Sequence, residues 1–394
     1  MNRPLRVAIG AIAGVRGGPA TYAVELVRAL DELGGTTPPG PLALSVLSDR
    51  PDLFAHLARV ERIEVPLPSP YRQPWWDNVA VPRHLRRIAP DVYHGTKNAM
   101  PFAGMPARCA RVLTIHDLAV YAEPETFALA QRLQLRLHLR LGARQADRVI
   151  CVSGHAAGEV RARFGLPAER VRVVQHGANP RFVPLTDAGE RARIRSSLGV
   201  EEGFLVAYVG TLQPRKRIEV AVAAVGELRA QGLPVKLVVA GRRRPGFRAA
   251  WLESPPDWLR IRGELSDEQI VELYGAADAM VSPSTFEGFG LTFLEAMACA
   301  CPVVGVRATS VPEVVNDAGL LVERAEPGLI AGALGALLRD PELRIEKGRR
   351  ALARARTFSW SRAATETLAV YREAVAAAEA RLAGRRPMAR PAAR

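Results

Sequence analysis

The chain has 394 residues, 48% of them hydrophobic and 6% aromatic, and a formal net charge of +14. That length can bury two cores, and ordinary domain sizes favour two domains of similar length over one. No run of about 18 uninterrupted apolar residues is present, which argues against a membrane-spanning helix. The few aromatics form no stacking platform among the basic residues, which argues against a nucleic-acid partner.

The chain opens on a strand pattern over 5–12, without the apolar region and cleavage site of a signal peptide, so a cytoplasmic protein is expected. Arg16-Gly-Gly-Pro-Ala-Thr-Tyr22 follows and leads into a helix over 19–33. Pro19 suits a first helical turn, and Gly17 and Gly18 would let a phosphate approach backbone N–H groups, although a Gly pair is more often only a loop. Further strands are expected at 42–47, 91–94, 111–115 and 148–152, and this alternation with helices predicts a parallel sheet covered on both faces. His116-Asp117 falls at the carboxyl end of the strand 111–115, where it can meet a ligand or simply cap the next helix.

Four arginines, Arg132, Arg136, Arg140 and Arg144, recur every fourth residue on an expected helix beside Leu133, Leu137 and Leu141. Either this face is solvated, or it holds the protein peripherally against an anionic membrane or a lipid-diphosphate acceptor. Residues 1–183 carry a net charge of +9 and the remainder +5.

A second αβ series begins after the loop Gln175–Pro184, with strands at 204–209, 235–240, 259–262, 279–282 and 302–306 and a helix over 217–230. The first of these strands runs into Gly210-Thr-Leu-Gln-Pro-Arg-Lys-Arg217. A solvated basic loop is the plain reading, but at a strand's carboxyl end Arg215 and Lys216 can neutralise a diphosphate. No Asp-x-Asp or His cluster offers a metal ion that role, and Cys109, Cys151, Cys299 and Cys301 form no CxxC pair, so buried reduced thiols are expected. In Ser284-Thr-Phe-Glu-Gly-Phe-Gly-Leu-Thr-Phe-Leu-Glu-Ala-Met-Ala298, Gly288 and Gly290 bend the backbone before a helix whose first N–H groups suit an anion. Glu287 precedes the turn, and Glu295 lies one helical turn inside among apolar neighbours, where an unpaired charge is expensive. Two carboxylates around an anion site suit a sugar nucleotide.

Taken together these residues resemble the retaining glycosyltransferases of the GT-B fold, specifically glycosyltransferase family 4. The resemblance covers nearly the whole chain and is most specific in Glu287-Gly-Phe-Gly-Leu-Thr-Phe-Leu-Glu295, similar to that family's E-x7-E signature. Supporting matches are Gly17-Gly18, Asp91-Val-Tyr-His-Gly95, Thr114-Ile-His-Asp-Leu118, Val152-Ser153, Val209–Lys216, Gly263–Asp267 and Val311-Pro-Glu-Val314. The resemblance implies an α/β architecture of two doubly wound Rossmann-like domains facing across a cleft. An acceptor-side domain is expected over 1–183 and a nucleotide-sugar domain over 184–358. A helix over 359–382 would return to the first domain, and a disordered basic tail would follow over 383–394.

Carried over, Glu287 meets the donor hexose, Glu295 the ribose hydroxyls, and the backbone of Phe289, Gly290, Leu291 and Thr292 the sugar and phosphate. Arg215 and Lys216 grip the diphosphate, Gly17 and Gly18 approach it from the other domain, and His116 lies beside the transferred sugar. The expected partners are an NDP-sugar donor and a sugar or lipid-linked acceptor, with no metal and no other cofactor. Departures from the family pattern are Thr211 for a usual Arg, Thr292 for a usual Pro and Ala300 for a usual Gly, and they bear on donor preference. The competing classes are a non-catalytic GT-B binding subunit, against which the retained charged residues argue, and a nucleotide-sugar epimerase, which should lack the E-x7-E and Arg-Lys pairing.

Overall fold

The computed structural model describes residues 3–14, 17–34, 42–69 and 72–383. The chain divides into two compact units, one of residues 1–122, 127–175 and 360–394 and the other of 123–126 and 176–359. The expected basic tail lies, from residue 384 on, outside the described residues, as does Arg16.

The first unit is built on seven strands: β1 Leu5–Ala11, β2 Leu42–Ser48, β3 Glu61–Glu64, β4 Val92–Gly95, β5 Ala110–Ile115, β6 Arg148–Cys151 and β7 Val171–Val173. They pair in the order β3-β2-β1-β4-β5-β6-β7, and every neighbouring pair is parallel. β1 buries five successive residues and β4 all four, the near-continuous apolar pattern of a sheet covered on both faces. The second unit repeats the plan with β8 Phe204–Val209, β9 Val235–Ala240, β10 Leu259–Gly263, β11 Ala279–Ser282, β12 Val303–Val306 and β13 Leu320–Val322. Their order is β10-β9-β8-β11-β12-β13, again parallel throughout. Both units are therefore α/β and doubly wound, as expected from the sequence. In each sheet the winding reverses beside its first strand, between β1 and β4 and between β8 and β11, and doubly wound sheets bind ligands beyond the carboxyl ends of strands at such a point.

The long stretch of the second unit begins at His176, eight residues before the boundary expected from the sequence, and the loop there packs rather than links. The His176 ring lies 4.7 Å from that of Phe289, and Phe182 lies 6.4 Å from Tyr274.

The helix Trp360–Ala383 belongs to the first unit, where Trp360, Ala364, Leu368, Tyr371 and Ala374 share one core with Val7, Ile9, Tyr22 and Leu26. A buried polar chain also ties it there. The Tyr371 hydroxyl lies 2.8 Å from His94 Nδ1, His94 Nε2 lies 2.7 Å from Thr114 Oγ1, and Thr114 Oγ1 lies 2.9 Å from the Tyr22 hydroxyl. Burial, with His116 nearby, pushes His94 down to about 3, so this chain stays uncharged at any ordinary pH. Ion pairs of 3.0 Å from Arg148 to Glu373 and from Arg381 to Asp147 fix the outer part of the helix.

Candidate active site in the second unit

Two loops leave adjacent strands of the second sheet, one after β8 and one after β11, and they carry most of the sequence-expected site. The first loop starts at Gly210, beside Gly241. A side chain at Gly241, whose φ is +145°, would overlap the Gly210 carbonyl oxygen, so glycine is the residue that lets the loop turn there. The loop then forms a single 3-10 turn, Pro214–Lys216.

From that turn Lys216 reaches across to Glu287, with Nζ at 2.6 Å from Oε1 and 2.8 Å from Oε2. The pair is largely shielded, with side-chain exposures of 16% and 9%. Burial opposes the charge of Glu287, but Lys216, with Arg215 behind it, outweighs burial and holds the carboxyl below its usual range. Arg215 donates from Nη1 to the Phe286 carbonyl at 2.9 Å. Its guanidinium therefore clamps one site loop to the other while placing positive charge beside Glu287.

Thr309 and Ser310 complete the support. The Glu287 N–H donates to Thr309 Oγ1 at 2.9 Å, and the Glu287 carbonyl accepts from the hydroxyls of both residues, each at 2.9 Å. Sequence reasoning missed these two hydroxyls, although they directly precede the Val311-Pro-Glu-Val314 match.

Beyond Glu287 the chain turns through Gly290, at φ +96°, into the helix Leu291–Ala298. Phe289 packs its ring inward, 4.7 Å from His176 and 5.8 Å from Phe358, and contributes only backbone to the turn. Gly290 caps the helix without a side chain, and among the described residues the N–H groups of Leu291 and Thr292 have no recorded hydrogen-bond partner. Uncapped N–H groups at a helix start favour an anion. Glu295, one turn on, is half-buried, and among the described residues its carboxyl has no ion-pair or hydrogen-bond partner. Burial, reinforced by the negative charge of Asp267, pushes it up to about 8.

Glu287, Lys216, Arg215, Phe289, Gly290, Leu291, Thr292 and Glu295 thus share one unit and one end of its sheet. Gly17, Gly18 and His116 belong to the other unit. Gly18 opens the helix Gly18–Gly34, and Gly17 leaves open space where a side chain would stand. His116 is 5% exposed, and its Nε2 lies 2.7 Å from the Thr96 carbonyl, which fixes Nε2 as the protonated nitrogen. Tyr22 stands edge-on to the His116 ring at 5.0 Å, joining the helix start to the histidine. Burial lowers the His116 pKa, so it acts as a neutral hydrogen-bonding group.

Two family models divide the chain between them. Residues 16–182 match "Glycosyltransferase Family 4" and residues 190–354 match "Glycosyl transferases group 1". A curated relative, the O-antigen chain mannosyltransferase B of Escherichia coli, is 30% identical over 314 residues, which is 77% of each protein. The chain belongs to glycosyltransferase family 4.

This family 4 chain is also 34% identical over 260 residues to a D-inositol 3-phosphate glycosyltransferase of Salinispora tropica, an alignment covering 60% of the chain and 53% of that relative. Thus it spans about half of that protein's length. Among solved structures, Anabaena HepE in complex with UDP-glucose superposes with a TM-score of 0.72 at 20% identity, over 93% of this chain and 99% of that one, a likeness of fold. Among the described residues no helix of this glycosyltransferase is long and apolar enough to cross a membrane.

Proposed function

We propose that this family 4 enzyme moves a hexose-type sugar from an NDP-sugar to an acceptor hydroxyl and retains the anomeric configuration. The observation that carries the proposal is the Lys216–Glu287 pair at the sheet's reversal point, followed directly by the uncapped helix start at Leu291. A diphosphate between Lys216 and that helix start would leave its sugar at Glu287 and its ribose at Glu295. The UDP-glucose in the Anabaena complex supports a sugar-nucleotide donor, and the O-antigen chain mannosyltransferase relative supports a hexose as the group transferred in glycan synthesis.

In the proposed reaction the acceptor oxygen bonds to the anomeric carbon on the face from which the phosphate oxygen leaves. The acceptor proton passes to that departing oxygen. Lys216, Arg215 and the N–H groups of Leu291 and Thr292 take up the charge developing on the diphosphate, so the protein contributes position and preorganised electrostatics without a metal ion. Gly17 and Gly18 of the first unit would approach the diphosphate, and His116 would serve as a neutral hydrogen-bond partner of the transferred sugar. The acceptor is a sugar or lipid-linked glycan met at the cytoplasmic face of an anionic membrane, where the enzyme works as a peripheral protein.

Proton NMR of the first-formed product, with and without EDTA, tests the chemistry. The expected result is an α-configured product from an α-linked donor, at an unchanged rate under chelation. An inverted product, or activity abolished by EDTA and restored by magnesium, contradicts the proposed mechanism.

A further inference from the structure

Eight large hydrophobic side chains are exposed among the described residues, and three of them are Leu129, Leu133 and Leu137, at 64%, 58% and 54%. All three lie on the helix Leu129–Gln145 at four-residue steps, so they form a single ridge. Burying leucine is the normal outcome, and three consecutive exceptions on one face mark a surface that is covered in use.

The arginines of this helix do not act as one stripe. Arg136 is turned away, with Nε donating to the Val120 carbonyl at 3.2 Å and its guanidinium 4.9 Å from the centre of the Tyr121 ring. Arg132 is also half-buried, whereas Arg140 and Arg144 are exposed. At about 3.6 residues per turn, Arg140 and Arg144 share the direction of the leucine ridge and continue it toward the helix's carboxyl end. The helix contains no acidic residue. Its free face is therefore apolar along one half and cationic along the other.

From these observations we infer that the face formed by Leu129, Leu133, Leu137, Arg140 and Arg144 docks on an anionic lipid bilayer. The leucines enter the acyl boundary while the two guanidiniums pair with lipid phosphates. Charge selects this occupant. A second copy facing the same surface would bring like-charged helices together, whereas an anionic bilayer complements the arginines and accepts the leucines at once. The inference rests on the membrane setting of the proposed function and names the surface responsible for it.

The test is co-sedimentation of the full chain with phosphatidylglycerol or phosphatidylcholine vesicles, at low and high salt. The Leu129→Ser/Leu133→Ser/Leu137→Ser triple variant should bind phosphatidylglycerol vesicles roughly 10-fold or more weakly at either salt concentration, because insertion is not screened. The Arg140→Gln/Arg144→Gln double variant should lose on the order of 10-fold at low salt and resemble the native chain at high salt. All the substituted side chains are exposed, so melting temperatures should stay near native. Equal binding by native and triple-variant chains overturns the inference, as does equal native binding to both lipids. Sedimentation velocity without vesicles adds one more overturning outcome, a native dimer that the triple variant dissociates while neither binds lipid. Cleavage of an NDP-sugar in solution, followed in the same preparations, separates the two proposals. Its absence with vesicle binding as expected sinks the transferase reading and leaves the docking surface standing.

Discussion

Lys216→Ala should lower turnover by about 100-fold or more, the scale on which a preorganised stabiliser of developing charge acts. The geometry adds a second effect. Glu287 is 7% exposed, and Lys216 bonds both of its oxygens, so the variant leaves a buried carboxylate without its nearest cation. Breaking a fully buried pair costs about 3–5 kcal/mol, and the nearby Arg215 offsets part of that here. Because the pairing holds Glu287 below its usual range, its stabilisation is present above the unfolded carboxyl value and disappears as pH falls through the folded one. The stability deficit of Lys216→Ala should accordingly be largest near neutrality and shrink on acidification. Adding Glu287→Gln to the lysine variant separates fold from chemistry, since it should recover melting temperature and recover none of the turnover. Native turnover by a folded Lys216→Ala chain contradicts the diphosphate assignment.

Glu295→Ala should weaken nucleoside diphosphate binding by about 10- to 100-fold, as expected for the loss of hydrogen bonds to a charged group. The native carboxyl, pushed up to about 8, is mostly protonated in the free protein at pH 7. Ribose hydroxyls donate to a carboxylate and favour its charged form, so binding should expel a proton and tighten as pH rises toward 8. Calorimetric enthalpies in two buffers of different ionisation heat read that proton directly, and the variant should show no such release. Stability carries the opposite sign. A raised carboxyl stabilises the free fold below the unfolded value, and that contribution is lost as pH rises through the folded value. Unchanged affinity in Glu295→Ala, or a buffer-independent enthalpy in the native chain, contradicts the ribose role.

Central strands were legible in the sequence because each is a short apolar run ending in glycine or polar residues, as at 204–209 and 235–240. Three strands escaped notice, β3, β7 and β13, and all three lie at sheet edges. Glu61-Arg-Ile-Glu64 and Val171-Arg-Val173 carry charge where edge strands meet water, so no apolar run announces them. The two-sided Gly turn before Leu291 and the basic cluster at Arg215 and Lys216 were also readable, because each places chemistry at a strand's carboxyl end.

What the sequence could not supply was pairing. Nothing in spacing indicates that Lys216 lies against Glu287, that Arg215 spends one arm on the Phe286 carbonyl, or that Thr309 and Ser310 hold the Glu287 backbone. These contacts join residues 22 to 71 positions apart, and adjacent strand ends bring them together. The arginine helix shows the same limit in another form. A four-residue period gives the direction of a side chain, but only packing reveals that Arg136 is occupied by Val120 and Tyr121 while the leucines beside it are left exposed.

The most direct measurement of the central claim, that the Lys216–Glu287 site binds and cleaves a sugar nucleotide, is release of nucleoside diphosphate from a panel of NDP-hexoses. The purified native chain and its Lys216→Ala variant are compared with and without candidate acceptors. The expected result is release from at least one donor by the native chain, faster with acceptor, and reduced about 100-fold in the variant. Binding of no nucleotide and release from no donor by a folded native chain would contradict it.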